Sequence, residues 1–235
     1  MVDTVEDEKR MPLLEHLIEL RMRLIYALIG FMVCFFIAFY FADAIFSFLV
    51  APLAAQMDRA NARMIYTALQ EALFTYGKVA FFAAAFVSFP LISAQIWLFV
   101  APGLYKHEKR AFLPFLIATP VLFFAGGALV YYFIFPMAWE FFLNFQTAGG
   151  PGSLPIQVEP KVDQYLSLVM QLIFAFGLGF ELPVFLMLLA RAGIVTAAGL
   201  VEKRRYAIVG VFVFAAVLTP PDVISQIGLA IPIII

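Results

Sequence analysis

The tightest constraint on this chain is a succession of long apolar runs that are almost free of charge. Leu24–Ala42 is nineteen residues without a charged side chain. Val79–Tyr105 and Ala111–Trp139 also carry none, and Tyr165–Ala190 carries one, Glu181. Crossing a hydrocarbon core of about 30 Å takes about 20 helical residues, so each of these runs is about long enough. In lipid no water satisfies backbone N–H and C=O groups, and such a run must close its hydrogen bonds within itself as a helix. Two shorter runs follow, Tyr206–Leu218 and Val223–Ile235. Hydrophobic residues make up 64% of the chain and charged residues only 13%, more apolar surface than a water-soluble chain of 235 residues can bury. The pattern predicts an all-α integral membrane protein of one polytopic domain, 1–235, with six spans at about 24–42, 77–99, 112–135, 165–190, 206–219 and 223–235.

The connections carry the charge and the turn chemistry. Segments 43–76 and 136–164 read as loops on one side. The first has Pro52 and helically spaced Phe46, Leu49 and Leu53; the second has Gly149-Gly150-Pro151-Gly152-Ser153. Segments 100–111 and 191–205 read as loops on the other side. With the amino terminus inside, the inner segments hold eleven of the fifteen basic residues, and only Arg59, Arg63, Lys78 and Lys161 lie outside. That asymmetry predicts a multi-pass protein with both ends cytoplasmic and loops 43–76 and 136–164 on the outer side. Residues 1–12 mix acids with Lys9 and Arg10, unlike a removable leader, so the first helix reads as a retained anchor. The fifth run is bounded by Arg205 and Pro220-Pro221. Its shortness predicts either burial behind longer helices or a locally thinned bilayer. The sixth run stops with the sequence and reads as truncated.

At the inner face, residues 1–23 form a polar amino terminus that ends in an amphipathic turn. Leu13, Leu17, Leu20 and Leu24 share one helical stripe, while Glu15, Glu19, Arg21 and Arg23 crowd the opposite face. Pro12 suits a first helical turn. Such a collar lies at the bilayer surface. Glu19 admits two readings: a local pair with Arg23 at i+4, or one of two carboxylates, with Glu108 of the next inner turn, converging on a cationic ligand. Carboxylates bind arginine bidentately, which adds geometry to energy. Glu181 is costly inside a span. It either locks helix contacts beside Gly177, Gly179 and Pro183, or offers a polar contact to a segment met within the membrane. Enzyme signatures are absent: the sequence has no His-Glu-x-x-His, no Gly-x-Ser-x-Gly and no phosphate-cradling glycine loop. His16 and His107 lack metal-ligand spacing, and Cys34 reads as a small core hydrophobe. The chain reads as a non-enzyme without cofactor, metal or nucleic acid.

Several motifs in order resemble the TatC family of the twin-arginine translocase, the multi-span component of Sec-independent protein export. They are His16-Leu17-Ile18-Glu19-Leu20-Arg21 with Arg23-Leu24, Gln95-Ile96-Trp97-Leu98-Phe99, and Ala101-Pro102-Gly103-Leu104-Tyr105 with Glu108 and Arg110. Phe180-Glu181-Leu182-Pro183, Arg204-Arg205-Tyr206, and Thr219-Pro220-Pro221-Asp222 with Ser225-Gln226 continue the match. Pro90, Pro120 and Pro183 should bend the second, third and fourth spans, and the resemblance implies a concave, cup-like bundle in the cytoplasmic (inner) membrane, with loops 43–76 and 136–164 periplasmic, and transport of folded proteins bearing twin-arginine signal peptides. It implies that Glu19 and Glu108 receive the arginine pair, with Arg21, Phe99 and Pro102 flanking. It implies functional polar residues at Glu181, Asp222 and Gln226, and a matched outer-loop position at Pro52. Single-span TatB-like and TatA-like partners would dock near Tyr206, Thr219 and Gln226, in a hetero-complex holding several copies of this chain. The rival function is a proton- or ion-coupled transporter with Glu181 as its relay. Against it, the chain shows no internal repeat and no second intramembrane charge.

Overall fold

The structure, a computed structural model, describes residues 13–57, 63–104, 109–147, 149, 150, 152, 154–191, 195, 196, 199, 202–219 and 223–234. Its helices, in chain order, are α1 (Leu13–Tyr40), α2 (Ala42–Gln56), α3 (Glu71–Leu104), α4 (Lys109–Leu129), α5 (Phe135–Leu143), α6 (Val162–Phe180), α7 (Leu182–Arg191), α8 (Arg204–Leu218) and α9 (Val223–Ile234). A π-helical turn, Val130–Ile134, joins α4 to α5. No strand forms among the described residues beyond isolated bridges. Four stretches are long and apolar enough to cross a membrane: Glu15–Tyr40, Glu71–Phe99, Pro114–Leu143 and Val162–Ala190. They match the four long runs, and α8 and α9 are the short pair.

Lipid, not water, explains the surface. Leu24 and Phe36 of α1 are each 66% exposed, a poor choice in water and a good one in hydrocarbon. Without a hydrophobic drive between lipid-solvated helices, packing depends on close approach. The chain supplies it with glycine. At the α4–α6 crossing, a Cβ on Gly126 would meet the Phe176 carbonyl oxygen at 2.5 Å, and one on Gly177 would meet the Phe123 ring at 2.7 Å. The two helices therefore touch backbone to backbone. Phe123 and Phe176 are fully buried there, and Phe89 stacks on Phe123 at 3.7 Å between ring centres.

The region read as the loop 43–76 contains α2, which buries Leu49 and Leu53 against the bundle while Phe46 is half-buried. Pro52 lies inside this helix. Having no N–H, it leaves the carbonyl of Phe48, one turn earlier, without its helical donor. Tyr131 fills the vacancy: its hydroxyl donates to Phe48 O at 2.7 Å, and its ring stacks on the Phe48 ring at 4.4 Å. Tyr165 likewise donates to Leu49 O at 3.1 Å. The pairing predicts non-additivity. Tyr131→Phe should cost about 0.5–1.5 kcal/mol in the Pro52 protein, and less once Pro52→Ala restores the amide donor. A double-mutant cycle on thermal unfolding in detergent checks it; equal costs in both backgrounds would sink the account.

On the same side the two long connections are stitched together. Ile65 N–H donates to Pro160 O at 3.1 Å, and Val162 N–H to Ile65 O at 3.1 Å. Glu71 closes the turn before α3. Its Oε2 accepts the N–H groups of Thr67 (2.9 Å) and Ala68 (3.2 Å), and Lys161 Nζ stands 3.8 Å from Oε1. Arg63–Glu159 and Lys78–Asp163 ion pairs flank it. The largely exposed guanidinium of Arg63 is held above the usual arginine range by its hydrogen bond to Glu159 and by that carboxylate's charge.

Two boundaries differ from the sequence pattern. The helix that holds the third run continues past 135, through the π turn and Pro136, to Leu143. The fourth divides at Glu181, which caps α6 before α7 begins. The short α8 is not hidden behind longer helices, since Val209 is 61% and Val217 74% exposed.

Candidate functional site: the polar collar and the intramembrane acid

The collar of α1 meets the far end of α3. Glu19 and Arg23, one turn apart, form an ion pair at 3.2 Å. Arg23 also reaches across, its Nη1 donating to Gln95 Oε1 at 3.5 Å. One turn before Glu19, the His16 imidazole stacks on the Phe99 ring, with centroids 4.3 Å apart and planes 16° from parallel. The α-helical period puts 16, 19 and 23 on one face of α1, and 95 and 99 on one face of α3. The result is a patch with an aromatic platform at one end and a carboxylate held by a guanidinium at the other. The Glu19 side chain keeps 21% of its exposure and Arg23 30%, so water still reaches the pair. Arg21 and Glu15 are exposed.

Of the residues expected at this site, Glu19 and Phe99 share the patch. Pro102 lies in the last turn of α3. Glu108 falls outside the described residues, between the end of α3 and the start of α4 at Lys109. His16 and Gln95 are members of the patch that the sequence pattern does not assign. Both stand inside the family motifs, and each acquires its role only through a partner on another helix.

Glu181 occupies the break between α6 and α7. Its Oε1 is enclosed without a hydrogen-bond partner, and the Thr119 hydroxyl and Phe123 N–H of α4 are its polar neighbours. Thr119 in turn accepts the Trp97 indole N–H at 3.2 Å. Three elements thus bring polar atoms to one level inside the bundle. The sequence does not single out Trp97 or Thr119, because a tryptophan and a threonine in apolar runs carry no signal of mutual contact.

Along α8, Tyr206, Val209, Val213 and Val217 form an exposed stripe. Arg205 lies over the Tyr206 ring at 4.8 Å and donates to its hydroxyl at 3.2 Å. Thr219 is off that stripe: it is buried, and its hydroxyl donates to Ala215 O at 2.9 Å. Gln226 Nε2 reaches Phe212 O at 3.5 Å. Asp222 falls outside the described residues.

Known proteins resemble this chain over nearly its whole length. Residues 15–232 match the family described as Sec-independent protein translocase protein (TatC). The Sec-independent protein translocase protein TatC of Magnetococcus marinus is 54% identical over 228 residues, covering 97% of this chain and 82% of that protein. The TatC of Escherichia coli K12 is 42% identical over 229 residues, covering 97% and 85%. Among solved structures, the twin arginine translocase receptor TatC crystallised in DDM superposes with a TM-score of 0.77 at 37% identity, over 93% of this chain and 94% of that one. Nothing in these likenesses supports the transporter reading. Fold, motifs and relatives agree, and the chain belongs to the TatC family, the core component of the Sec-independent, twin-arginine protein translocase.

Proposed function

We propose that this translocase component receives twin-arginine signal peptides on the collar patch, at the cytoplasmic face of the inner membrane. The observation that carries the reading is the resident ion pair: Glu19 already holds a guanidinium, that of Arg23, at 3.2 Å. An i,i+4 pair open to water is worth about 0.3–0.5 kcal/mol, so an incoming arginine displaces it at little cost. A bidentate contact then gains both charge and geometry. Glu108 supplies the second carboxylate. Phe99, with His16 stacked upon it, gives the apolar residue next to the arginine pair a flat contact. Arg21 and Pro102 flank the site.

The apolar part of the signal then runs into the membrane toward Glu181, whose enclosed Oε1 offers a hydrogen-bond acceptor. Single-span TatB-like and TatA-like proteins dock on the exposed stripe from Tyr206 to Val217, with Gln226 beside it. Copies of this chain assemble with them into a hetero-complex. The orientation, with both ends cytoplasmic, rests on the asymmetry of Lys and Arg. Site-specific photocrosslinkers at 19, 99 and 108 test the reading. Adducts to a twin-arginine signal peptide, lost when its arginines become lysine, are expected. Equal crosslinking of both peptides would overturn it.

A further inference from the structure

Trp97 ties Glu181 to the helix that carries half of the collar patch. Its side chain is buried, and a buried indole N–H needs an acceptor. Thr119 Oγ1 of α4, also buried, provides one at 3.2 Å. That bond decides what the hydroxyl can do next. With one lone pair taken by the indole, Thr119 still has its own proton to donate. A helical threonine often returns it to a carbonyl of the preceding turn. Here the Glu181 carboxyl, at the break between α6 and α7, stands beside it as the alternative. The donors that reach Glu181 come from α4, the Thr119 hydroxyl and the Phe123 N–H, while Oε1 is enclosed without a hydrogen-bond partner among the described residues. On α3, Trp97 is two residues from Gln95 and two from Phe99, so it occupies the face opposite the collar patch.

We infer that Trp97 and Thr119 are positioning residues for Glu181. The indole holds the Thr119 hydroxyl, the hydroxyl donates to one carboxyl oxygen, and Oε1 is left for a donor carried by the incoming segment. The inference rests on the reading that Glu181 meets a segment within the membrane. Its order follows from donors and acceptors: an indole N–H only donates, a hydroxyl does both, and a carboxyl engaged at one oxygen keeps the other. The indole is needed because α4 offers the hydroxyl a competing partner. Pro120 lies inside this helix and has no N–H, so it withholds the helical donor from the Leu116 carbonyl. That carbonyl is three residues before Thr119, within reach of a threonine side chain in a helix. Without Trp97 the hydroxyl turns to it and leaves Glu181 unheld.

Isotope-edited infrared spectroscopy of the protein in nanodiscs, with carboxyl-labelled glutamate, reads the contact, and Glu181→Gln identifies the Glu181 band. Thr119→Val keeps the shape, removes the hydroxyl and should shift that band. Trp97→Phe should shift it the same way, and Thr119→Ser should restore it. A packing role alone would lower the melting temperature and leave the band in place. The functional arm puts a photocrosslinker at 178, which is exposed and one turn before Glu181 on the same face. Its adducts with the apolar part of a twin-arginine signal peptide should fall about two- to tenfold in Thr119→Val, the worth of one hydrogen bond. They should fall equally in Glu181→Gln. A band unmoved by Thr119→Val would overturn the inference and leave the role of Glu181 standing, as would adducts that Glu181→Gln loses and Thr119→Val keeps. Adducts undiminished by Glu181→Gln would overturn the reading of Glu181 itself, and the inference with it.

Discussion

Gly126→Val is expected to leave little folded protein, and Gly126→Ala to lower the melting temperature by several degrees. The reason is what stands opposite. A Cβ at 126 would lie 2.5 Å from the Phe176 carbonyl oxygen, 2.8 Å from its carbon and 3.1 Å from Gly177 Cα. None of these atoms belongs to a side chain that can rotate away, so accommodation means moving α4 off α6. Overpacking a close-packed site costs about 1–3 kcal/mol and occasionally more. At this chain length each kcal/mol shifts a melting point by about 2–4 °C. Valine adds two methyl groups to the same collision. Gly30 makes the comparison, because the nearest atoms to its Cβ are the Leu91 methyl groups, at 2.7 and 2.9 Å. A leucine end can change rotamer, so Gly30→Ala should cost less. At Gly77 nothing lies within 4 Å, and alanine there should be neutral or mildly stabilising. Thermal scans of the three alanine variants in detergent should rank them 126, 30, 77 from most to least damaged. A Gly126→Ala protein as stable as Gly77→Ala would refute the backbone-contact account.

The same crossing shows what the sequence makes legible. Uncharged runs of nineteen residues or more declare a helix whatever their periodicity, because lipid permits nothing else; three of the four long spans follow from that alone, and the fourth from an apolar run interrupted only by Glu181. Junctions inside a run are harder. Pro136 reads as a break, yet it sits in the first turn of α5, directly after the π turn, where a missing N–H costs little. The break at Glu181 is the reverse case. It lies in a run that counts as continuous, although Gly177, Gly179 and Pro183 around it favour an interruption. The site divides along the same line. Glu19 and Arg23 are four residues apart, and their pairing is readable from helical spacing. Arg23 and Gln95 are 72 residues apart, and nothing in either local pattern places α1 against α3. Long-range contacts such as Trp97 with Thr119, or His16 with Phe99, arise from packing that no single window of sequence contains.

Removal of the two carboxylates is the change with the largest expected effect on recognition. Each Glu19 or Glu108 replaced by Ala deletes one charge-assisted contact to a guanidinium, worth about 1.5–3 kcal/mol. That is about a ten- to hundredfold loss of affinity per site, and the doubly substituted protein should bind a twin-arginine signal peptide no better than a twin-lysine one. Stability should scarcely move, because the only described ion pair lost at Glu19 is the water-accessible one with Arg23, within about 0.5 kcal/mol. Glu19→Gln separates charge from shape: the amide keeps an acceptor oxygen but loses the ionic term, so affinity should fall between the two. Raising salt should weaken the unsubstituted complex and leave the residual binding of the double variant nearly unchanged, since only the former depends on opposite charges partly open to solvent. Titrating fluorescent signal peptides into protein in nanodiscs measures the affinities, their selectivity and their salt dependence, and thermal scans in detergent measure the stability. Full affinity and undiminished arginine selectivity in the double variant would move the recognition site away from the collar.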